Sequence, residues 1–199
     1  MAASESDPPK RAGHSAVGRG GPVPDTADRI VTAAVQALHD VGYDRLSMRD
    51  VSRRAGITHA TTYGYFSSKQ HVIAEAFARL VDQWGGQHIV GDLPADRLKQ
   101  VFTSFGALLA DDPDLSRSST AALLSDDQSV RRVRERVGHT IADQLAAALG
   151  DHATEDRLDA LTIAINGATL QAGLGHARYT EFAERFMRAA RFVIADIEN

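Results

Sequence analysis

The stretch Ser47–Lys69, SMRDVSRRAGITHATTYGYFSSK, constrains this chain more than any other. It divides into two short helices with a tight turn between them. Ser47 is a good helix N-cap, and Asp50, three residues on, makes an acidic variant of the capping box. Met48, Val51 and Ala55 recur at i, i+3 and i+7, the spacing of one buried helix face. Gly56 follows, where a chain leaving a helix commonly needs positive φ. Ile57 returns to the core, and Thr58 caps a second helix from about His59 to Phe66. Helix, glycine turn and capped second helix are the parts of a helix-turn-helix.

The rest of the chain is helical by pattern. Helix 1 is expected from Thr26, capped by Asp25 or Thr26, with Ile30, Ala33, Ala34, Ala37, Leu38 and Val41 as its apolar stripe and Gly42 as its end. Tyr43 and Leu46 pack the link to the motif. A three-helix unit of this size needs support. A helix capped by Ser67 or Ser68 supplies it through Val72, Ile73, Ala76, Phe77, Leu80, Val81 and Trp84, stopped by Gly85-Gly86. After a loop over 91–94, Leu98, Val101, Phe102, Phe105, Leu108 and Leu109 define a fifth helix. Asp111 to Asp114 is a turn signal. A short apolar helix over 115–124 follows. Next comes a charged helix over 129–149, with Val130, Val133, Val137, Ile141, Leu145 and Leu149 inward. A helix from Thr154 carries Leu158, Leu161, Ile165 and Leu170, and a last one over 180–197 carries Phe182, Phe186, Met187, Val193, Ile194 and Ile197. No strand alternation and no internal repeat occur. The fold class is all-α, about nine helices. The domains divide as a disordered tail over 1–24, a helix-turn-helix domain over 25–70 and a helical domain over 71–199.

Charge decides whether the motif can meet nucleic acid. The whole chain carries a formal −4, which argues against it. From Arg45 to His71, however, five Lys or Arg (45, 49, 53, 54 and 69) face one acid, Asp50, a local +4. A basic face on an acidic protein is enough for phosphate contact. In a helix-turn-helix the second helix enters the major groove and the first crosses the backbone. Thr58 and Thr61 then offer hydroxyls to base edges, His59 a ring nitrogen and Ala60 a methyl for thymine. Tyr63 and Tyr65 reach phosphates through their hydroxyls, Ser47 from its cap position, and Lys69 from the start of the next helix. Arg49 is the candidate reader of a guanine. Arg53 and Arg54 read as solvated charges and Phe66 as core. Lys10, Arg11 and Arg19 form either an arm that touches DNA or part of a solvated tail.

The run RDVSRRAGIT (Arg49–Thr58), followed at fixed distance by YGYFSSK (Tyr63–Lys69), resembles the DNA-binding domain of TetR-family transcriptional repressors. The likeness covers roughly residues 26–80. Two positions depart from it: Thr62 stands where that family usually has Leu or Ile, and Gly64 where a bulky or polar residue is common. The resemblance implies a palindromic double-stranded DNA operator and a homodimer whose last two helices form a four-helix bundle between subunits. It also implies a small-molecule effector, suggested as hydrophobic, that enters the C-terminal domain and shifts the two DNA-binding heads apart, with helix 4 as the lever. Candidate pocket residues are Trp84, Phe102, Phe105, His139, Asn166, Thr169 and Gln171. Asn166 and Thr169 lie three apart among Leu and Ile, where they meet either a ligand or a neighbouring helix.

Enzyme and metal classes find no motif. The eight histidines (14, 39, 59, 71, 88, 139, 152 and 176) make no H-E-x-x-H or other close pair. There is no Walker A lysine, no G-x-S-x-G elbow and no dinucleotide fingerprint, and no strand precedes the G-L-G-H at 173–176. No catalytic residue, cofactor or metal is expected. Cysteine is absent, no apolar run is long enough for a membrane span, and a cytoplasmic protein is expected. The competing reading is an architectural or co-regulatory DNA-binding protein with the same fold and no effector.

Overall fold

The computed structural model describes residues 25–195 and 197; the expectations for the N-terminal tail fall outside them. Among the described residues the chain forms nine α-helices and no strand. They are α1 (Thr26–Arg45), α2 (Met48–Ala55), α3 (His59–Tyr65), α4 (Lys69–Gly85), α5 (Pro94–Asp111), α6 (Pro113–Leu123), α7 (Gln128–Leu149), α8 (Glu155–Gly173) and α9 (Phe182–Ile194). Single 3-10 turns, Gly150–His152 and Tyr179–Glu181, precede α8 and α9.

Local chemistry sets most of these boundaries. Asp25 caps α1. Gly42, expected to end it, instead kinks it: φ is 77° and ψ 163°, and helical turns continue to Arg45. Gly86 ends α4 and Gly150, at φ 59°, ends α7. The turn expected at 111–114 shrinks to Asp112, because Pro113 opens α6 at the first helical position, where no N–H is needed. The last helix is shorter than its apolar pattern, starting at Phe182 after the 3-10 turn and ending at Ile194.

Helix α4 is the centre of the molecule. Val72, Ile73, Ala74, Ala76, Phe77, Ala78, Val81 and Trp84 are buried, which takes up most of its circumference. A helix apolar nearly all round belongs inside, and α4 packs on α1, α6 and α7. Helix α7 buries all six of its expected inward residues.

Helix α8 departs from the pattern. Leu161, Ile165 and Ala172 are buried, but Leu170 is exposed, since it lies about 140° around the helix from Ile165. Ile163 (64% exposed) and Leu174 (63%) also face outward, as does Phe192 of α9 (75%). The two last helices therefore bury one apolar face inside the monomer and leave a second uncovered.

Candidate nucleic-acid interface

The motif is built by caps. Ser47 Oγ accepts from the Asp50 N–H (3.2 Å) to start α2. Gly56 ends it in the left-handed region (φ 65°, ψ 35°), and the Ile57 N–H donates back to the Ser52 carbonyl (3.1 Å). This return bond, closing over a left-handed glycine, satisfies a carbonyl the helix would leave free. Arg29 of α1 secures the same end by donating to the Ala55 carbonyl (2.6 Å). Thr58 then caps α3, accepting from the Thr61 N–H at 3.1 Å.

Thr62, one of the two departures, is fully buried. Its Oγ1 lies 2.8 Å from Ser52 Oγ, which itself donates to the Met48 carbonyl at 2.7 Å. Thr62 Oγ1 also lies 3.1 Å from the Thr58 carbonyl, so each hydroxyl of the pair has a second partner in the backbone carbonyl four residues before it. A hydroxyl pair joins α2 to α3 at a position where the resemblance implies an apolar side chain on α3. Gly64 is exposed, and a Cβ built on it meets nothing within 4 Å.

The outer face of α3 carries His59, Ala60, Thr61, Tyr63 and Tyr65, all exposed, and Ser47 and Thr58 are exposed beside them. The His59 and Tyr63 rings meet edge to face, centroids 4.8 Å apart. The Thr58 and Thr61 hydroxyls lie 2.7 Å from one another.

The arginines of α2 separate into two kinds. Arg53 and Arg54 both bond to Asp50, and Arg54 also to Asp40. These bonds, Arg53 first, hold the Asp50 carboxyl below its usual range. Arg49 is exposed, and no hydrogen bond or ion pair engages it.

Lys69 does not project outward from the start of α4. Its ammonium donates to the carbonyls of Tyr43 (2.9 Å) and Asp44 (3.3 Å) and lies 4.8 Å from the centre of the Tyr43 ring. The kink at Gly42 opens those carbonyls, and Lys69 closes them. The expected phosphate ligand is thus a tie between α1 and α4. Phe66 is buried as core.

The seven candidate pocket residues do not converge. Trp84, Phe102 and Phe105 are buried in an aromatic cluster with Phe182 and Phe186. The Trp84 indole N–H donates to Ser104 Oγ (2.8 Å). His139, Asn166 and Gln171 are exposed instead, and Thr169 is half-buried. On α8, positions 166 and 169 are rotated away from the inward line of 161, 165 and 172. Gln171 lines an open groove of about 340 Å³ between α8 and α9, with Ala164, Gly167, Ala168 and Arg185. Sequence reasoning missed Ser52 and Ser104. Ser52 was findable four residues after Met48, at the back-bonding spacing of a helical serine. No sequence signal pairs Ser104 with Trp84.

Besides the Lys69 tie, further polar contacts join the head (α1–α3) to the body. His39 Nε2 lies 2.9 Å from Asp112 Oδ2. Asp127, the N-cap of α7, accepts from Ser67 Oγ (2.7 Å) and Ser68 Oγ (2.8 Å). Those bonds, Ser67 first, hold the Asp127 carboxyl down to about 2. Arg79 of α4 reaches Asp28 of α1 at 2.6 Å; within the body, Glu75 of α4 takes Arg136 of α7 at 2.7 Å. Among the described residues no cluster of three or more potential ligands could hold a metal ion, and no helix is long and apolar enough to cross a membrane.

A three-helix head with a capped outer helix, carried on a six-helix body, defines a helix-turn-helix regulatory protein. Comparison agrees. The sequence model described as bacterial regulatory proteins, tetR family, matches residues 30–76. The HTH-type transcriptional regulator Rv0767c of Mycobacterium tuberculosis is 35% identical over 172 residues, 85% of this chain and 81% of that protein. The HTH-type transcriptional repressor KstR of Rhodococcus jostii is 30% identical over 133 residues, 65% of this chain and 63% of that protein. Among solved structures, Thermus thermophilus FadR, a TetR-family repressor in complex with lauroyl-CoA, superposes with a TM-score of 0.67. It is 19% identical, covering 84% of this chain and 93% of that one. The chain belongs to the TetR family of bacterial regulatory proteins.

Proposed function

We propose that this protein is a sequence-specific transcriptional repressor that binds a palindromic operator as a homodimer and is released by a small hydrophobic molecule. The observation that carries this reading is the outer face of α3. It offers two threonine hydroxyls, an imidazole, a methyl and two phenols with no core role, beside an unpaired Arg49. Arg49, Thr58, His59, Ala60 and Thr61 are the proposed base-reading residues. Ser47, Tyr63 and Tyr65 are the proposed phosphate contacts. The proposed domain division is 25–70 for the head and 71–199 for the body. The uncovered apolar residues Ile163, Leu170, Leu174 and Phe192 support a bundle of α8 and α9 with a second copy. Two heads then meet half-sites about 34–36 Å apart, or a multiple of that. The name of KstR supports repression, and the lauroyl-CoA held by FadR supports an effector with an apolar portion. Effector and operator favour different arrangements of the heads, so each weakens the other's binding.

Fluorescence anisotropy with DNA from upstream of the protein's own gene tests the reading. Saturable binding to one fragment, far tighter than to unrelated DNA, is the expected result. Arg49→Ala should lose about 1–3 kcal/mol of discrimination against the wrong base. Its thermal midpoint should not change, because Arg49 is exposed and unpaired. Arg49→Ala binding that fragment like the parent would remove Arg49 from the reading face. A repressor is released by its effector, so an exhaustive screen in which no compound releases DNA favours the effector-free architectural reading.

A further inference from the structure

Two stripes of residues face each other across the outer flank of the body, one on α5 and one on α9. On α5, Lys99, Thr103, Gly106 and Ala110 recur at i, i+4, i+7 and i+11, the spacing of one helix face. On α9, Ala183, Met187 and Arg191 recur at i, i+4 and i+8. Between the stripes lie two cavities of about 430 and 480 Å³, which share Thr103 and Ala183 and so form one open groove. From Lys99 to Ala110 it follows α5 for roughly 16 Å at the usual helical rise. Gly106, Ala107, Ala110, Ala183 and Met187 give it a small, apolar middle. The groove between α8 and α9 uses other α9 residues, Arg185 and Ala189 among them.

The two ends differ in chemistry. Lys99, Arg188 and Arg191 surround one of them. Arg188 has Glu184 at 3.5 Å. Lys99 is exposed, and no hydrogen bond or ion pair engages it. Arg191 meets only the ring of its neighbour Phe192, 4.6 Å from the centre. Two cations without a counter-ion at the mouth of an apolar groove are complementary to an anionic head.

Asp111, Thr180 and Tyr179 stand at the other end. Tyr179 is 8% exposed, and among the described residues its hydroxyl is the one buried side-chain polar atom with no hydrogen-bond partner. Burial, opposed by Arg117, pushes the phenol above its ordinary value, so it stays an O–H donor near neutrality. A buried donor left unpaired is costly and calls for an explanation. An acceptor brought by a ligand supplies one.

We propose that the α5–α9 groove binds an ω-hydroxy fatty acid: its carboxylate at Lys99 and Arg191, its chain along the small-residue floor, and its remote hydroxyl donating to Asp111 and accepting from Tyr179. Tyr179 stands in a single 3-10 turn, so turning its ring toward an occupant disturbs no helix. As a place for the effector the groove rests on the regulatory reading above; as a binding site it stands on its own residues.

Calorimetric titration of the full-length protein with dodecanoate and with 12-hydroxydodecanoate, at low salt and without DNA, tests the site. The hydroxy acid should bind roughly fivefold more tightly, the scale of one net hydrogen bond. Lys99→Gln and Arg191→Gln should each weaken both acids roughly three- to fivefold, the upper range of an exposed ion pair. Tyr179→Phe should bind dodecanoate like the parent and the two acids equally. That variant removes only an unpaired hydroxyl, so it should fold at least as stably as the parent. Equal affinity of the parent for the two acids overturns the proposal, as does binding of neither. Parent-like affinity in Lys99→Gln and Arg191→Gln overturns it too, because the acid then sits elsewhere. So does a preference for the hydroxy acid that survives in Tyr179→Phe. A protein that binds the hydroxy acid as expected but no operator would defeat the regulatory reading and leave the binding site standing.

Discussion

Thr62 shows how one residue can leave its family's usual chemistry without loosening the site. A hydroxyl buried without a partner costs about 1–3 kcal/mol; the Thr58 carbonyl and, across the α2–α3 contact, Ser52 are the partners here. The usual solution is an apolar side chain pressed against α2. Here the contact is a directional bond, which also fixes the rotation of α3 about its own axis. Gly64 is not compensated in this way. Its surroundings are open and its backbone is ordinary helix, so only its weak helix propensity acts. Gly64→Ala should therefore raise stability by about 0.5–1 kcal/mol, read as a higher midpoint in urea with an unchanged slope. A lower midpoint would mean that the position needs glycine for a reason these contacts do not contain. The identity of the caps was legible from spacing alone, since Ser47, Gly56 and Thr58 act within a few residues of themselves. The Ser52–Thr62 bond was not, because it depends on how two helices cross.

At the scale of the element, the join between α3 and α4 is a polar knot around His71. Its Nδ1 accepts from the Ser67 N–H (3.2 Å), and its ring meets Phe66 edge to face. Burial pushes the His71 imidazole below its ordinary value, opposed by Asp127 and Glu75 and aided by Arg132 and Arg136. The folded state thus binds this proton less readily than the unfolded state, so stability declines as pH falls below about 6.5 and rises again toward neutrality. Asp127 acts lower on the scale: its contribution is present above the usual carboxylate value and is lost as pH falls toward about 2. Chemical denaturation from pH 8 to pH 5 should show the first decline. His71→Asn, whose amide oxygen can replace Nδ1 as acceptor, should flatten it; an unchanged profile would assign the decline to another group. The helices themselves were legible because their apolar positions repeat. Their ends were less so where a tertiary contact overrides a local signal. Lys69 on the Tyr43 and Asp44 carbonyls supports a turn beyond Gly42, and nothing near Gly42 announces it.

For the whole molecule, the second apolar face of α8 and α9 is the feature with the largest consequence. Ile163, Leu170, Leu174 and Phe192 together form an exposed set rarely left to water on a monomer. If the proposed dimer uses this face, Phe192→Glu should shift it to monomer in sedimentation velocity and leave the helical circular dichroism intact, since the ring is exposed. Operator affinity should fall with it, because a single head engages one half-site. A dimer that survives this charge would place the contact elsewhere. At the sequence level only the family resemblance pointed to these two helices as a surface between subunits. The polar pocket candidates on α8 did not converge with the aromatic ones because grouping them required knowing which way the helix is turned.

The chain has one tryptophan, and it sits at the end of α4 far from the head, before the loop to α5. Trp84 is nearly fully buried, bonded through its indole to Ser104 and set against Phe105. An indole so enclosed emits at short wavelength, and its colour reports on its surroundings. The protein therefore carries its own optical gauge. A compound that parts the aromatic cluster would turn the emission redder, in a cuvette holding no DNA and no dye.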